Sequence, residues 1–130
     1  MKIGDAVIRE KTITENEVKL FAELSGDKNP IHLNDDYAKN TIFKKRIVQG
    51  ILVAGQISAI LANDLPGEGT IYLKQELNFV KPVFIGDKVL TKVAVLEIRE
   101  DKPIARLETN CLVHNEIVIQ GFAIVKFSQD

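Results

Sequence analysis

The sequence contains one cysteine, one methionine and no tryptophan in 130 residues. A lone Cys111 rules out an internal disulfide, and without a cysteine cluster there is no zinc-ribbon or finger pattern. The only histidines are His32 and His114. No grouped carboxylates accompany them, so a metal site is not expected. The longest apolar run, Gly50 to Ala62, falls short of the roughly 20 residues a membrane span requires. The start, Met1-Lys2-Ile3-Gly4-Asp5, lacks the apolar core of a signal peptide. Basic and acidic residues number 17 and 18, for a net charge of −1. With no basic patch interleaved with aromatics, nucleic-acid binding is unsupported. The glycines form neither a P-loop nor a dinucleotide fingerprint, and there is no G-x-S-x-G nucleophile elbow. A reducing cytoplasm is the simplest setting for such a chain.

What is present suffices for one ordinary domain spanning residues 1–130. A chain of this length buries about two-thirds of its unfolded surface, enough for a core without staples. Residues 6–13 suit a short strand. Thr12 or Thr14 suits the N-cap of a helix carrying Val18, Phe21, Ala22 and Leu24 at helical spacing, with Gly26 as its stop. Asn34 or Asp35 caps a short helix with Tyr37, Ala38 and Phe43. Residues 50–62 are apolar nearly all round, apart from Gln56 and Ser58, and predict a helix buried on most sides. Asn63-Asp64-Leu65-Pro66-Gly67 ends it.

The second half alternates in the manner of strands. Ile71, Leu73, Leu77 and Phe79 begin it, residues 88–99 follow, then Ala105 to Val113, then Ile117 to Phe127. Short turns at 100–103 and 114–116 predict antiparallel pairing. The fold expected is α+β, an antiparallel sheet wrapped around a central apolar helix. The last strand and the Ile71–Val80 strand are the expected edges.

Between the first helix and the next lies Ser25-Gly26-Asp27-Lys28-Asn29-Pro30-Ile31-His32. On a regular helix, five steps of roughly 100° leave Asp27 and His32 about 140° apart. On a strand they face opposite ways. Only an irregular loop brings them together, and Gly26 and Pro30 supply the means. A carboxylate and an imidazole so placed suit acid–base chemistry, provided the site is partly dry. The plainer alternative is that Asp27 caps a turn and His32 fills a gap. Gly50 opens the apolar helix with unpaired N–H groups, which can hold a developing oxyanion or simply begin a core helix. Ser58 can bond back to its own helix or face a ligand. Cys111 reads as a small core residue and His114 as an exposed turn residue. Lys44-Lys45-Arg46 is either a solvated surface or a docking point for a phosphate-bearing ligand.

Three stretches carry a resemblance. Phe21-Ala-Glu-Leu-Ser-Gly-Asp-Lys-Asn-Pro-Ile-His32, Ile47-Val-Gln-Gly-Ile-Leu-Val-Ala54, and Leu65-Pro-Gly-Glu-Gly-Thr-Ile-Tyr72 with Phe79-Val-Lys-Pro-Val-Phe-Ile-Gly-Asp87 resemble the MaoC-like (R)-specific enoyl-CoA hydratases, nearly end to end. The likeness is greatest to the small single-domain enzymes that feed polyhydroxyalkanoate synthesis. It implies a hot-dog fold, a homodimer with substrate near the subunit interface, and no metal or organic cofactor. The implied substrate is a trans-2-enoyl thioester of CoA or acyl carrier protein, hydrated syn to the (R)-3-hydroxyacyl product. It assigns Asp27 and His32 as the catalytic pair and Gly50 as the backbone donor to the thioester oxygen. Ser58 would lie near the site, and Asn29 would orient the loop. One departure is visible: many members carry His-Gly where this chain has Gln49-Gly50. An acyl-CoA thioesterase and a non-catalytic acyl-thioester-binding module are the competing readings on the same fold.

Overall fold

Helix α4 (Gly50–Asn63) lies in the concave face of a five-stranded antiparallel sheet in the computed structural model, which describes residues 1–129. Val53, Ile57, Ile60 and Leu61 on one side of the helix are buried. They share one core with Val93 and Val95, Leu107 and Cys111, and Ile119 and Val125 of the sheet. Each fully buried side chain of this kind contributes about 1.5–3 kcal/mol. Among the described residues no helix is long and apolar enough to cross a membrane.

The strands are β1 (Ala6–Thr12), β2 (Ile71–Phe79), β3 (Lys88–Ile98), β4 (Ile104–Val113) and β5 (Glu116–Lys126). Their order in the sheet is β1-β3-β4-β5-β2. The period-2 pattern holds in β4, where Ala105, Leu107, Thr109, Cys111 and Val113 all face inward and are buried. The expected edges need one correction. β5 is not an edge: it lies between β4 and β2, pairing Ile71↔Lys126 through Phe79↔Ile119. The edges are β1 and β2. The segment from Val80 to Asp87 is long enough to cross over, so β2 and β3 are not a hairpin despite being consecutive.

The sheet is preceded by α1 (Glu15–Ser25), α2 (Pro30–Leu33) and α3 (Asp35–Lys39). Thr14 caps α1 in a full capping box with Glu17, and Gly26 ends it in the left-handed region at φ 81°. A side chain there would be strained, so Gly26 is the hinge that turns the chain toward Asp27. Asn34 caps α3, but the helix stops at Lys39 and does not reach Phe43.

The expectation that α4 is covered on most sides also needs correction. Ile51 is 59% exposed, and Gly55 and Ser58 on the same side are exposed. A single sheet wraps only one face of a helix, which leaves this strip uncovered.

Candidate active site

His32 is not in an irregular loop but in the single turn α2. Pro30 occupies the first turn of that helix, and the Asn29 side chain caps it by accepting from the Ile31 N–H at 3.3 Å. Proline has no N–H to lose at that position, which is why a turn forms where a loop was expected. The irregular part is Gly26–Asn29. Asn29 thus has a structural task. It ends the turn that carries Asp27 and begins the one that carries His32.

The ring of His32 is buried, and its Nδ1 lies 2.8 Å from the Ile47 carbonyl oxygen. A carbonyl only accepts, so Nδ1 carries the proton and donates. In the neutral ring Nε2 is then a bare acceptor. It stands 3.8 Å from Asp27 Oδ2. The other carboxylate oxygen, Oδ1, accepts from the Asn29 N–H at 3.3 Å. The local backbone therefore fixes one oxygen of Asp27 and presents the other to His32. A separation of 3.8 Å is too long for a direct hydrogen bond and suits one shared water. The Asp27 side chain remains 43% exposed in the single chain, wetter than the partly dry setting that acid–base chemistry calls for.

Gly50 and His32 line the same cavity, of about 360 Å³. Its walls are chiefly apolar, with Phe43, Val53, Phe79 and Ile119 among them. Gly50 is the first residue of α4, where a helix leaves its N–H groups unpaired. A Cβ there would lie 2.5 Å from Cε1 of Phe79, so the half-exposed ring would have to shift.

Residues 47–50 act as a single positioning strip. The Ile47 carbonyl holds His32, and the Val48 N–H donates to the Val83 carbonyl at 2.7 Å. Gln49, 1% exposed, donates from Nε2 to the Val18 carbonyl of α1 at 3.1 Å, while its Oε1 is buried without a partner. A buried acceptor left unpaired costs about 1–3 kcal/mol. The roles of the Ile47 carbonyl and of Phe79 were not legible in the sequence. A backbone acceptor carries no residue signature, and Phe79 reads only as the end of an alternating strand.

Ser58 is not in this cavity. It is exposed in a separate groove of about 510 Å³ with Ile51, Gly55, Tyr72, Leu73 and Gln75. There the Tyr72 hydroxyl donates to Gln75 Oε1, and Gln75 Nε2 donates to Thr109 Oγ1 at 2.9 Å. Partial desolvation pushes the Tyr72 phenol up to about 12, so it stays neutral at physiological pH. Lys44, Lys45 and Arg46 divide. Arg46 is bound by Glu15 at 2.7 Å and Asp35 at 2.8 Å and serves the structure, whereas Lys45 rests over the Phe84 ring. His114 is exposed in the β4–β5 turn at φ 51°. Cys111 is fully buried, and burial pushes its thiol up, so it is unsuited to nucleophilic attack. Among the described residues no three His, Cys, Asp or Glu side chains gather to hold a metal ion.

The model of the MaoC like domain matches residues 2–116. The (R)-specific enoyl-CoA hydratase of Rhodospirillum rubrum is 46% identical over 125 residues, covering 96% of this chain and 87% of that one. The 3-hydroxybutyryl-CoA dehydratase of Methylorubrum extorquens is 45% identical, covering 97% and 80%. The solved (R)-hydratase of Aeromonas caviae, described as involved in PHA biosynthesis, superposes with a TM-score of 0.97 at 42% identity over 98% of both chains.

Proposed function

The chain belongs to the MaoC-like family, and from that membership we infer that it is an (R)-specific enoyl-CoA hydratase, a hydro-lyase of hot-dog fold. It adds water reversibly to a trans-2-enoyl-CoA and forms the (R)-3-hydroxyacyl-CoA. The observation that carries the mechanism is the 3.8 Å gap between His32 Nε2 and Asp27 Oδ2, beside a cavity that also holds the start of α4.

One water bridges that gap. His32 Nε2 accepts its proton as the oxygen bonds to C3. Asp27 delivers a proton to C2 from the same side, which makes the addition syn. The proton then passes from His32 back to Asp27, and the pair is ready for another water. Attack at C3 drives electrons onto the thioester oxygen, where the Gly50 N–H stabilises the enolate-like charge. An N–H aimed in advance at such a charge is among the largest catalytic contributions available. Proton transfer and carbonyl polarisation are both supplied by the chain, so the reading needs no metal or organic cofactor.

The working form in this proposal is a homodimer. The uncovered strip of α4 and the edge strand β2 share the groove that holds Ser58, and Tyr72 and Leu73 of β2 are exposed there. A second copy would bury those side chains, pair the edge and shield the half-exposed Asp27. Ser58 would then act at the covered face. A cytoplasmic setting completes the reading and suits a chain with a single free thiol.

The test is loss of the enoyl-thioester absorbance of crotonyl-CoA on addition of the protein, with chiral analysis of the product. Formation of the (R)-3-hydroxy thioester supports the reading. Release of free CoA without hydration would transfer the protein to the thioesterase class, and binding without either reaction would leave it a binding module.

A further inference from the structure

We propose that Gln49 is a positioning residue for the reaction: its amide locks the Gly50 N–H in register with the helix that leads to Asp27. The inference rests on the hydratase reading, because it assigns Gly50 the thioester oxygen.

Three observations carry it. Gln49 is the residue immediately before Gly50 and is the N-cap of α4, yet its side chain makes no cap bond to that helix. It reaches instead across the core to the Val18 carbonyl of α1. That carbonyl lies inside α1 (Glu15–Ser25), where the helix ladder already supplies a donor from four residues on. The amide is therefore not rescuing an orphaned group. Its effect is to tie two elements together: α1, whose end at Gly26 opens onto Asp27, and the strip whose next residue is Gly50.

The third observation is the unpartnered Oε1. Turning the amide over would set Oε1 against the Val18 oxygen, two acceptors face to face. The orientation is thus fixed by the one bond, at the expense of a buried acceptor left bare. An apolar side chain of similar size would fill a 1% exposed position without that penalty. The polar group is a poor choice for stability and a good one for register. A neutral amide also holds this register at every pH at which the protein is folded, because it does not titrate.

The experiment compares wild type with Gln49→Met and Gln49→His. Methionine keeps the length and removes both the donor and the bare acceptor. Gln49→Met is expected to melt at or above the wild-type temperature, while kcat for crotonyl-CoA falls about tenfold, equivalent to roughly 1.4 kcal/mol, with KM little changed. The backbone order parameter of Gly50 should drop below the rigid value of about 0.85, with β3 and β4 unaffected. Gln49→His restores an N–H donor and should recover kcat at neutral pH and above. Wild-type kcat in Gln49→Met overturns the proposal, as does a parallel fall in kcat and melting temperature, which would make Gln49 an ordinary packing residue. An unchanged Gly50 order parameter in Gln49→Met overturns it whether or not the wild type hydrates crotonyl-CoA. Failure of wild type to turn over any enoyl-CoA sinks the hydratase reading instead.

Discussion

The Nδ1–H of His32 is anchored on the Ile47 carbonyl at 2.8 Å, and three residues further on the same strip becomes helix α4 at Gly50. One short stretch of backbone therefore sets the tautomer of His32, the proposed base, and begins the helix whose first N–H is the proposed oxyanion donor. In that reading the acid–base and electrostatic functions share a single support.

Gly50 tests the electrostatic half. In Gly50→Ala the new Cβ would meet the Phe79 ring at 2.5 Å, and the ring must swing within the cavity it lines. The expected result is a 10- to 100-fold loss in kcat/KM, about 1.4–2.7 kcal/mol, with little change in melting temperature. Adding Phe79→Ala should recover part of the loss. Steady-state kinetics on the single and double variants check this, and full activity in Gly50→Ala would contradict the role given to that position.

The dimer is tested by Ile51→Glu. Ile51 is 59% exposed on the uncovered strip of α4, so a charge there is harmless to a monomer and damaging to a buried interface. Sedimentation of wild type should give twice 14.5 kDa, and the variant should run as a folded monomer with little activity. A wild type that sediments as a stable monomer while remaining fully active would remove the second copy from the account.

Acid stability has an identified contributor. The Lys11 ammonium, 2.5 Å from Glu17, together with the capping-box bonds to Thr14, holds the Glu17 carboxyl below its usual value of 4.5. A lowered folded-state value means the stabilisation is fully present above about pH 4.5 and is lost as pH falls through the folded value. Glu17→Gln should cost on the order of 1 kcal/mol at pH 7, roughly 4 °C in melting temperature. The gap between variant and wild type should close toward pH 3. A gap that stays constant across that range would show that the charge on Glu17 does not matter.

Much of the fold was readable in the sequence because its signals are local. Thr14, Gly26 and Asn34 act through neighbours within four residues, and β4 alternates cleanly because one face is core. What failed was non-local. Nothing in the residues of β5 says that it pairs with β2 on one side and β4 on the other. The open strip of α4 was misjudged because apolar residues such as Ile51 look alike whether covered by this chain or by another. At the site, Asp27, His32 and Gly50 stood out by residue type and by family likeness. The structure brings the first two to 3.8 Å and sets the third in the cavity beside His32. Ser58 sits elsewhere because its position on α4 turns it toward β2.

The central claim is that Asp27 and His32 together hold and split one water. Its most direct measurement is the initial rate of crotonyl-CoA hydration by wild type, Asp27→Asn and His32→Ala, each confirmed folded by its melting curve. The predicted result is a loss of about 10²–10⁴ in kcat for each single variant. The double variant should be scarcely worse than either, since the two residues act on the same water as a unit. Hydration at the wild-type rate by either folded single variant would contradict the account.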